Sequence, residues 1–267
     1  MARFDCGEGR TLYYEHHPGA GTPVVLIHGW AMSSRIWAGT IEALLADGHE
    51  VIAVDLRGCG QSDRDFADFS ISALGADVAA IVRAAATRPA VLNGWSLGGA
   101  VAAEAARLLG DRAAGLVLTC GASPRFTQTE DFPWGGTAEG LAASAAALAA
   151  DRAGFFRALA GMVCVREVSP ATVDWMWDAF INSGPGVIRS LLDLAELDQR
   201  ALLGALAVPV LSLVGSADAV LDPQVGIEAA KYARDGTAVV FEGCGHAPFL
   251  EDAPAYQAAL RDFLAQL

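Results

Sequence analysis

The sequence predicts an α/β fold: a mostly parallel sheet flanked by helices, with a helical segment inserted after the strand that follows the central turn. Three observations carry this. Apolar runs alternate with helical patterns over the first 122 residues, as they do when crossover helices cover both faces of a sheet. The run Ala90-Val91-Leu92-Asn93 ends in Gly94-Trp95-Ser96-Leu97-Gly98-Gly99 and passes at once into a helical pattern, giving a strand, a tight turn and a helix. The alternation lapses from about Ser123 to Arg200 and then resumes. The expected division is therefore a core made of 1–122 and 201–267, and a helical cap over 123–200.

The elements follow in order. Arg3–Cys6 and Arg10–Glu15 flank Gly7-Glu8-Gly9 and suggest an antiparallel edge hairpin. His16 and His17 stand before Pro18 with no third ligand at metal spacing, and are expected in a solvated loop. Pro23–Ile27 is continuously apolar, as for a strand covered on both faces, and ends in His28-Gly29-Trp30. A helix fits Ile36–Ala46, and His49–Asp55 is the next strand. Ser70 is placed to cap a helix over Ile71–Ala86, whose Leu74, Val78, Ile81 and Val82 share one face. After the central turn, Gly115–Cys120 is a further buried strand. The cap carries a Pro133-Trp134-Gly135-Gly136 loop and helical patterns over Ala138–Ala150, Arg152–Val163, Pro170–Asn182 and Gly186–Leu197. Phe155 and Phe156 are neighbours on one of these helices, so their side chains point about 100° apart and only one can face a pocket. The sheet resumes at Val208–Val214 and closes with Thr237–Phe241, separated by a helix over Pro223–Ala233; a last helix covers Pro254–Leu267.

Composition excludes several classes. A net charge of −13 opposes nucleic-acid binding, which needs a basic surface. No long apolar run is free of breakers, so no membrane span is expected. The five cysteines are scattered without a C-x-x-C pair, and the N-terminus has no apolar leader pattern; a reduced, cytoplasmic protein without a disulfide framework or zinc site is the expectation.

The chemistry lies in one pattern. Gly-x-Ser-x-Gly on a strand-to-helix turn holds a serine hydroxyl at the sheet edge beside free helix N–H groups. That hydroxyl needs a base near neutrality, and the base needs an acid to fix its tautomer. His246, in Gly243-Cys244-Gly245-His246, follows the last strand; Asp218, in Gly215-Ser216-Ala217-Asp218, follows the strand before it. Asp222 competes as the acid, but it precedes Pro223 and suits a helix cap. His28 reads as a structural hydrogen-bonding residue. The backbone N–H groups of Trp30 and Leu97 are the expected oxyanion donors.

These motifs, together with Asp55-Leu56-Arg57-Gly58-Cys59-Gly60-Gln61-Ser62, resemble the α/β-hydrolase superfamily from end to end. Trp30, Trp95 and His246-Ala247-Pro248-Phe249 make the chain similar to the pimeloyl-carrier-protein methyl ester esterases, the BioH-like carboxylesterases of biotin synthesis. The resemblance implies an α/β-hydrolase fold, a Ser96–Asp218–His246 triad, Trp30 and Leu97 at the oxyanion, and Trp95 along the acyl pocket. It also implies an ester substrate, with an acyl-carrier protein as a candidate partner and no cofactor. Relatives that bind an acidic carrier present cap arginines. Here Arg125, Arg152, Arg157 and Arg166 are interleaved with Glu130, Asp131, Glu139, Asp151 and Glu167, which departs from that pattern. The alternatives in the same fold are a lactonase, a C–C bond hydrolase, a cofactor-free perhydrolase and a non-catalytic ligand-binding protein.

Overall fold

The computed structural model describes residues 2–7 and 9–267; Met1 and Glu8, the latter in the expected 7–9 turn, lie outside the described residues. The strands are β1 (Ala2–Asp5), β2 (Thr11–His17), β3 (Gly21–Ile27), β4 (His49–Val54), β5 (Ala90–Trp95), β6 (Ala113–Thr119), β7 (Val210–Gly215) and β8 (Gly236–Phe241). They form an eight-stranded sheet in the order β1-β2-β4-β3-β5-β6-β7-β8. The β1–β2 and β2–β4 pairs are antiparallel and the rest are parallel. Val24 to Ile27 of β3 and Ala90 to Leu92 of β5 are fully buried, because helices cover both faces of the central strands.

The chain leaves β3 for β4 on one side and returns to β5 on the other. That reversal opens a crevice at the carboxyl ends of β3 and β5, where ligands bind in open α/β sheets. Ile27 pairs with Gly94, so His28-Gly29-Trp30 emerges beside Trp95-Ser96. At the other side Gly215 pairs with Phe241, which brings the Asp218 and His246 turns to the same edge.

The helices are α1 (Ala38–Ala46), α2 (Ile71–Ala85), α3 (Leu97–Leu109), α4 (Ala138–Ala150), α5 (Arg152–Val163), α6 (Pro170–Ile181), α7 (Val187–Glu196), α8 (Arg200–Ala205), α9 (Pro223–Tyr232), α10 (Pro248–Glu251) and α11 (Ala253–Leu264). Ser70 caps α2 by accepting from the N–H of Ala73, and Ser169 caps α6 by accepting from that of Thr172. Between β6 and β7 the inserted helices α4 to α7 add no strand to the sheet. Within α4, which is rich in alanine, Leu148 is the buried residue; its neighbours are too small or too exposed to anchor it deeply.

Four expectations are corrected. His16 and His17 are not in a loop: they end β2, paired with Ile52 and Val51, because the β2–β4 ladder runs on to the residue before Pro18. The His16 ring meets the buried Glu50 carboxylate at 3.0 Å. The helix expected over 36–46 starts as a 3-10 turn over Ser34–Trp37 before α1. Helix α8 was not anticipated. The short α10 was not anticipated either: Asp252 ends it and caps α11 through the N–H of Ala255, and α11, the helix expected over 254–267, stops at Leu264.

Candidate active site

Ser96 sits between β5 and α3 with φ 55° and ψ −125°, a conformation a residue with a side chain rarely adopts. Its backbone is held on every side. The N–H donates to Thr119 O at 3.0 Å, and the carbonyl accepts from Gly99 and Ala122, each at 2.8 Å. The two flanking glycines are required by close approach: a Cβ on Gly94 would lie 2.0 Å from Gly98 O, and one on Gly98 would lie 2.5 Å from both Ile27 O and His28 O. Below the turn, Asn93, Thr119 and Tyr256 share a buried network, with Asn93 Nδ2 donating to the Tyr256 hydroxyl at 2.8 Å and Thr119 Oγ1 donating to Asn93 Oδ1 at 2.9 Å.

His246 and Asp218 form a buried pair, with Nδ1 and Oδ2 2.6 Å apart and each side chain 3% exposed. The other Asp218 oxygen accepts from the N–H groups of Val220 and Leu221 at 2.8 and 2.9 Å, so the carboxylate serves as an acceptor at both oxygens. This fixes Nδ1 as the protonated ring nitrogen and leaves Nε2 as a hydrogen-bond acceptor. The backbone of His246 is held as well: its N–H donates to Val163 O at 2.8 Å, and its carbonyl accepts from the Trp95 indole at 2.7 Å. Asp222 is elsewhere. It caps α9 through the N–H of Gln224 at 2.9 Å.

The loop after β3 is ordered by His28, which is fully buried. Its Nδ1 donates to Gly29 O at 2.7 Å, and its Nε2 accepts from the N–H of Leu56 at 3.0 Å. Burial lowers the basicity of this imidazole, so it stays neutral and keeps both bonds. In a trans peptide the carbonyl and the N–H point in opposite directions. Tying Gly29 O to His28 therefore turns the Trp30 N–H away from His28. Leu97 is the first residue of α3, so its N–H lacks a helical partner. Neither N–H meets a hydrogen-bond acceptor among the described residues. Asp55 steadies the same region by accepting from the N–H groups of Ser34 and Gln61 at 2.7 and 2.8 Å.

A cavity of about 370 Å³ opens over Ser96 and His246. Gly29, Trp30, Trp95 and Leu97 line its floor; Phe126, Leu141, Phe155, Leu159, Met162 and Leu194 from the insertion line its walls. Among the described residues, no aspartate, glutamate, lysine or arginine borders it. Phe155 faces the cavity. Phe156 is fully buried, stacked on Phe180 at 5.4 Å with the Arg152 guanidinium 4.7 Å from its ring centroid. Trp30 touches both phenylalanines and donates its indole N–H to Val187 O of α7 at 2.8 Å. Trp95 lines the cavity but is only 2% exposed, and its ring packs against that of His246.

Sequence reasoning missed several neighbours. Leu159 and Met162 join Phe155 at spacings of four and seven along α5, a helical-face signal that could have identified them. Cys120 gave no such signal. Its sulfur, a ring nitrogen of His246 and a carboxylate oxygen of Asp218 lie within 4.8 Å of one another. Burial pushes its thiol well up, so it stands beside the pair as a neutral S–H.

A mostly parallel sheet with a serine on a strand–turn–helix elbow and a His–Asp pair beyond the following strands defines the alpha/beta hydrolases. The sequence profile of the alpha/beta hydrolase fold matches residues 22–253, and the chain belongs to this family. It is a carboxylesterase-type hydrolase. The pimeloyl-acyl-carrier-protein methyl ester esterase of Stenotrophomonas maltophilia (strain R551-3) is 35% identical over 254 residues, covering 93% of this chain and 95% of that one. An esterase from Exiguobacterium antarcticum superposes with a TM-score of 0.92 at 25% identity over 97% of both chains. A bromoperoxidase from Bacillus anthracis gives 0.90 at 26% identity over 96% of both. No helix among the described residues is long and apolar enough to cross a membrane.

Proposed function

We propose that the chain hydrolyses carboxylic esters through an acyl-enzyme, with Ser96 as nucleophile, His246 as base and Asp218 as its partner. Ser96 Oγ attacks the ester carbonyl as its proton passes to His246 Nε2. The oxyanion is received by the N–H groups of Trp30 and Leu97. His246 then gives that proton to the departing alcohol, and a water molecule repeats the sequence to release the acid. The observation that carries the reading is the buried His246–Asp218 bond at 2.6 Å opening, with Ser96, onto one apolar cavity.

The substrate class follows from the same cavity. With no charged side chain of the described residues along it, an acyl or alkyl group that is uncharged enters without an unpaired buried charge. Residues 123–200 act as the cap that supplies most of this apolar wall. The five cysteines are free, which suits a reduced cytoplasmic setting. A carrier-bound pimeloyl methyl ester is the second reading, favoured by the name of the Stenotrophomonas relative. The cap arginines weigh against it: Arg125 is paired with Asp198, Arg157 with Asp174 and Arg166 with Asp252, while Arg152 donates to Ser183. Initial rates on p-nitrophenyl esters of increasing chain length, beside free and carrier-bound pimeloyl methyl esters, test this. Hydrolysis of the free esters with no gain from the carrier is expected; turnover of the carrier-bound ester alone would favour the second reading.

The two phenylalanines separate pocket from packing. Phe156→Ala should lower stability by about 3 kcal/mol or more, as for truncation of a buried aromatic ring. Phe155→Ala should leave the melting temperature nearly unchanged and shift the ratio of long-chain to short-chain ester rates. An unchanged ratio in Phe155→Ala would show that α5 does not set acyl preference.

A further inference from the structure

Glu251 lies outside the groups assigned to the reaction, yet its carboxylate gathers four backbone N–H groups from two separate segments. Gly245 donates to both oxygens at 2.9 Å, and Ala247 donates to Oε1 at 3.2 Å. On the cap side, Val165 and Arg166 each donate to Oε2 at 2.8 Å. The first two residues flank His246. The second two come just after Cys164, the residue that ends α5, the helix whose Phe155, Leu159 and Met162 wall the cavity.

The junction is close and specific. The N–H of His246 donates to Val163 O, the last residue of α5, at 2.8 Å. A Cβ on Gly245 would lie 2.9 Å from Val165 N and 3.0 Å from Val163 O, so the two backbones already touch. Arg166 adds a second tie, donating to Asp252 Oδ2 and to Glu242 O, each at 2.7 Å. A carboxylate has about four acceptor positions, and here the positions are filled by donors from both sides. No neutral side chain of this length presents two acceptor oxygens in that geometry.

We propose that Glu251 is a positioning residue that clasps the His246 turn to the end of cap helix α5, so that placement of the histidine and closure of the cap depend on each other. The inference rests on the serine-hydrolase reading given above. Without the carboxylate, the exposed N–H groups of Val165 and Arg166 turn to water, while those of the buried Gly245 and Ala247 lose their acceptor and the His246 turn loosens. What is lost is the fixed position of His246, and a displacement of this kind can cost on the order of 10²-fold in rate. Glutamine keeps one acceptor oxygen and sets an NH₂ against the other donors, so it should fall between the wild type and alanine.

The test is the rate of fluorophosphonate labelling and the steady-state kinetics of wild type, Glu251→Gln and Glu251→Ala, with kcat expressed per titrated active site. Labelling and kcat are expected to fall about 10-fold to 10²-fold in Glu251→Ala and less in Glu251→Gln, with KM within about threefold. A clasp that matters only for folding would reduce the titratable fraction and leave kcat per site unchanged, which would overturn the proposal. Wild-type rates in both variants would do the same. If wild-type protein is not labelled at all, the serine reading itself fails and the clasp falls with it. That outcome is distinct from labelled wild type with unaffected variants.

Discussion

Ser96→Ala is expected to lower kcat by ~10⁴-fold or more while leaving the fold and the affinity for ester nearly intact. The size follows from the role. Without Oγ there is no acyl-enzyme, and only the oxyanion donors and the binding cavity remain to assist water. Preservation of the fold follows from the backbone. Ser96 is held at φ 55° by bonds from its own N–H and carbonyl to Thr119, Gly99 and Ala122, none of which uses the side chain. Alanine keeps the same Cβ, so the strain at the turn does not change. Its hydroxyl borders the cavity and is not part of the core packing. Turnover and melting temperature of the purified variant check this, with fluorophosphonate labelling as an independent readout. Activity within tenfold of wild type would remove Ser96 from the mechanism.

Asp218→Asn should come close to that loss, on the order of 10⁴-fold in kcat, whereas Asp222→Asn should change it by less than about threefold. The two aspartates are four positions apart and both follow β7, yet their partners differ. Asp218 presents Oδ2 to His246 Nδ1 at 2.6 Å. Asparagine there either offers an NH₂ to that nitrogen, which forces the proton onto Nε2 and removes the base, or turns its NH₂ toward the donors of Val220 and Leu221. Asp222 caps α9, a position where asparagine serves about as well. Kinetics of the two variants under one set of conditions decide the matter. A larger loss in Asp222→Asn would overturn the assignment of Asp218.

Much of the framework was legible because it depends on near neighbours. The alternation of buried runs and helical patterns predicted the strands. Ser70, followed by apolar residues at helical spacing, predicted the start of α2, and its hydroxyl does accept from Ala73. Gly94 was readable for the same reason, since the clash it avoids is with Gly98 in the same turn; the clash Gly98 avoids is with Ile27 and His28, at the end of β3 far along the chain. The presence of two phenylalanines at 155 and 156 showed that they must face different ways, but not which would face the cavity. That was decided by Phe180 and Trp30, which reach Phe156 from other elements.

Taken alone, the sequence determined the fold class, the elbow that carries Ser96, and the short set of residues that could serve as base and acid. All of these are written in spacings of a few residues, where backbone sterics and side-chain periodicity act directly. The tertiary structure decided which carboxylate meets His246, that Trp95 supports His246 from 151 residues away, and that Trp30 is fixed to Val187 across 157. It also extended β2 through His16 and His17 and joined Glu251 to the end of α5, 86 residues before it. Contacts over such separations leave no periodic trace in the chain. They arise only when the sheet order brings distant turns to one edge, and packing there selects among side chains that are locally equivalent.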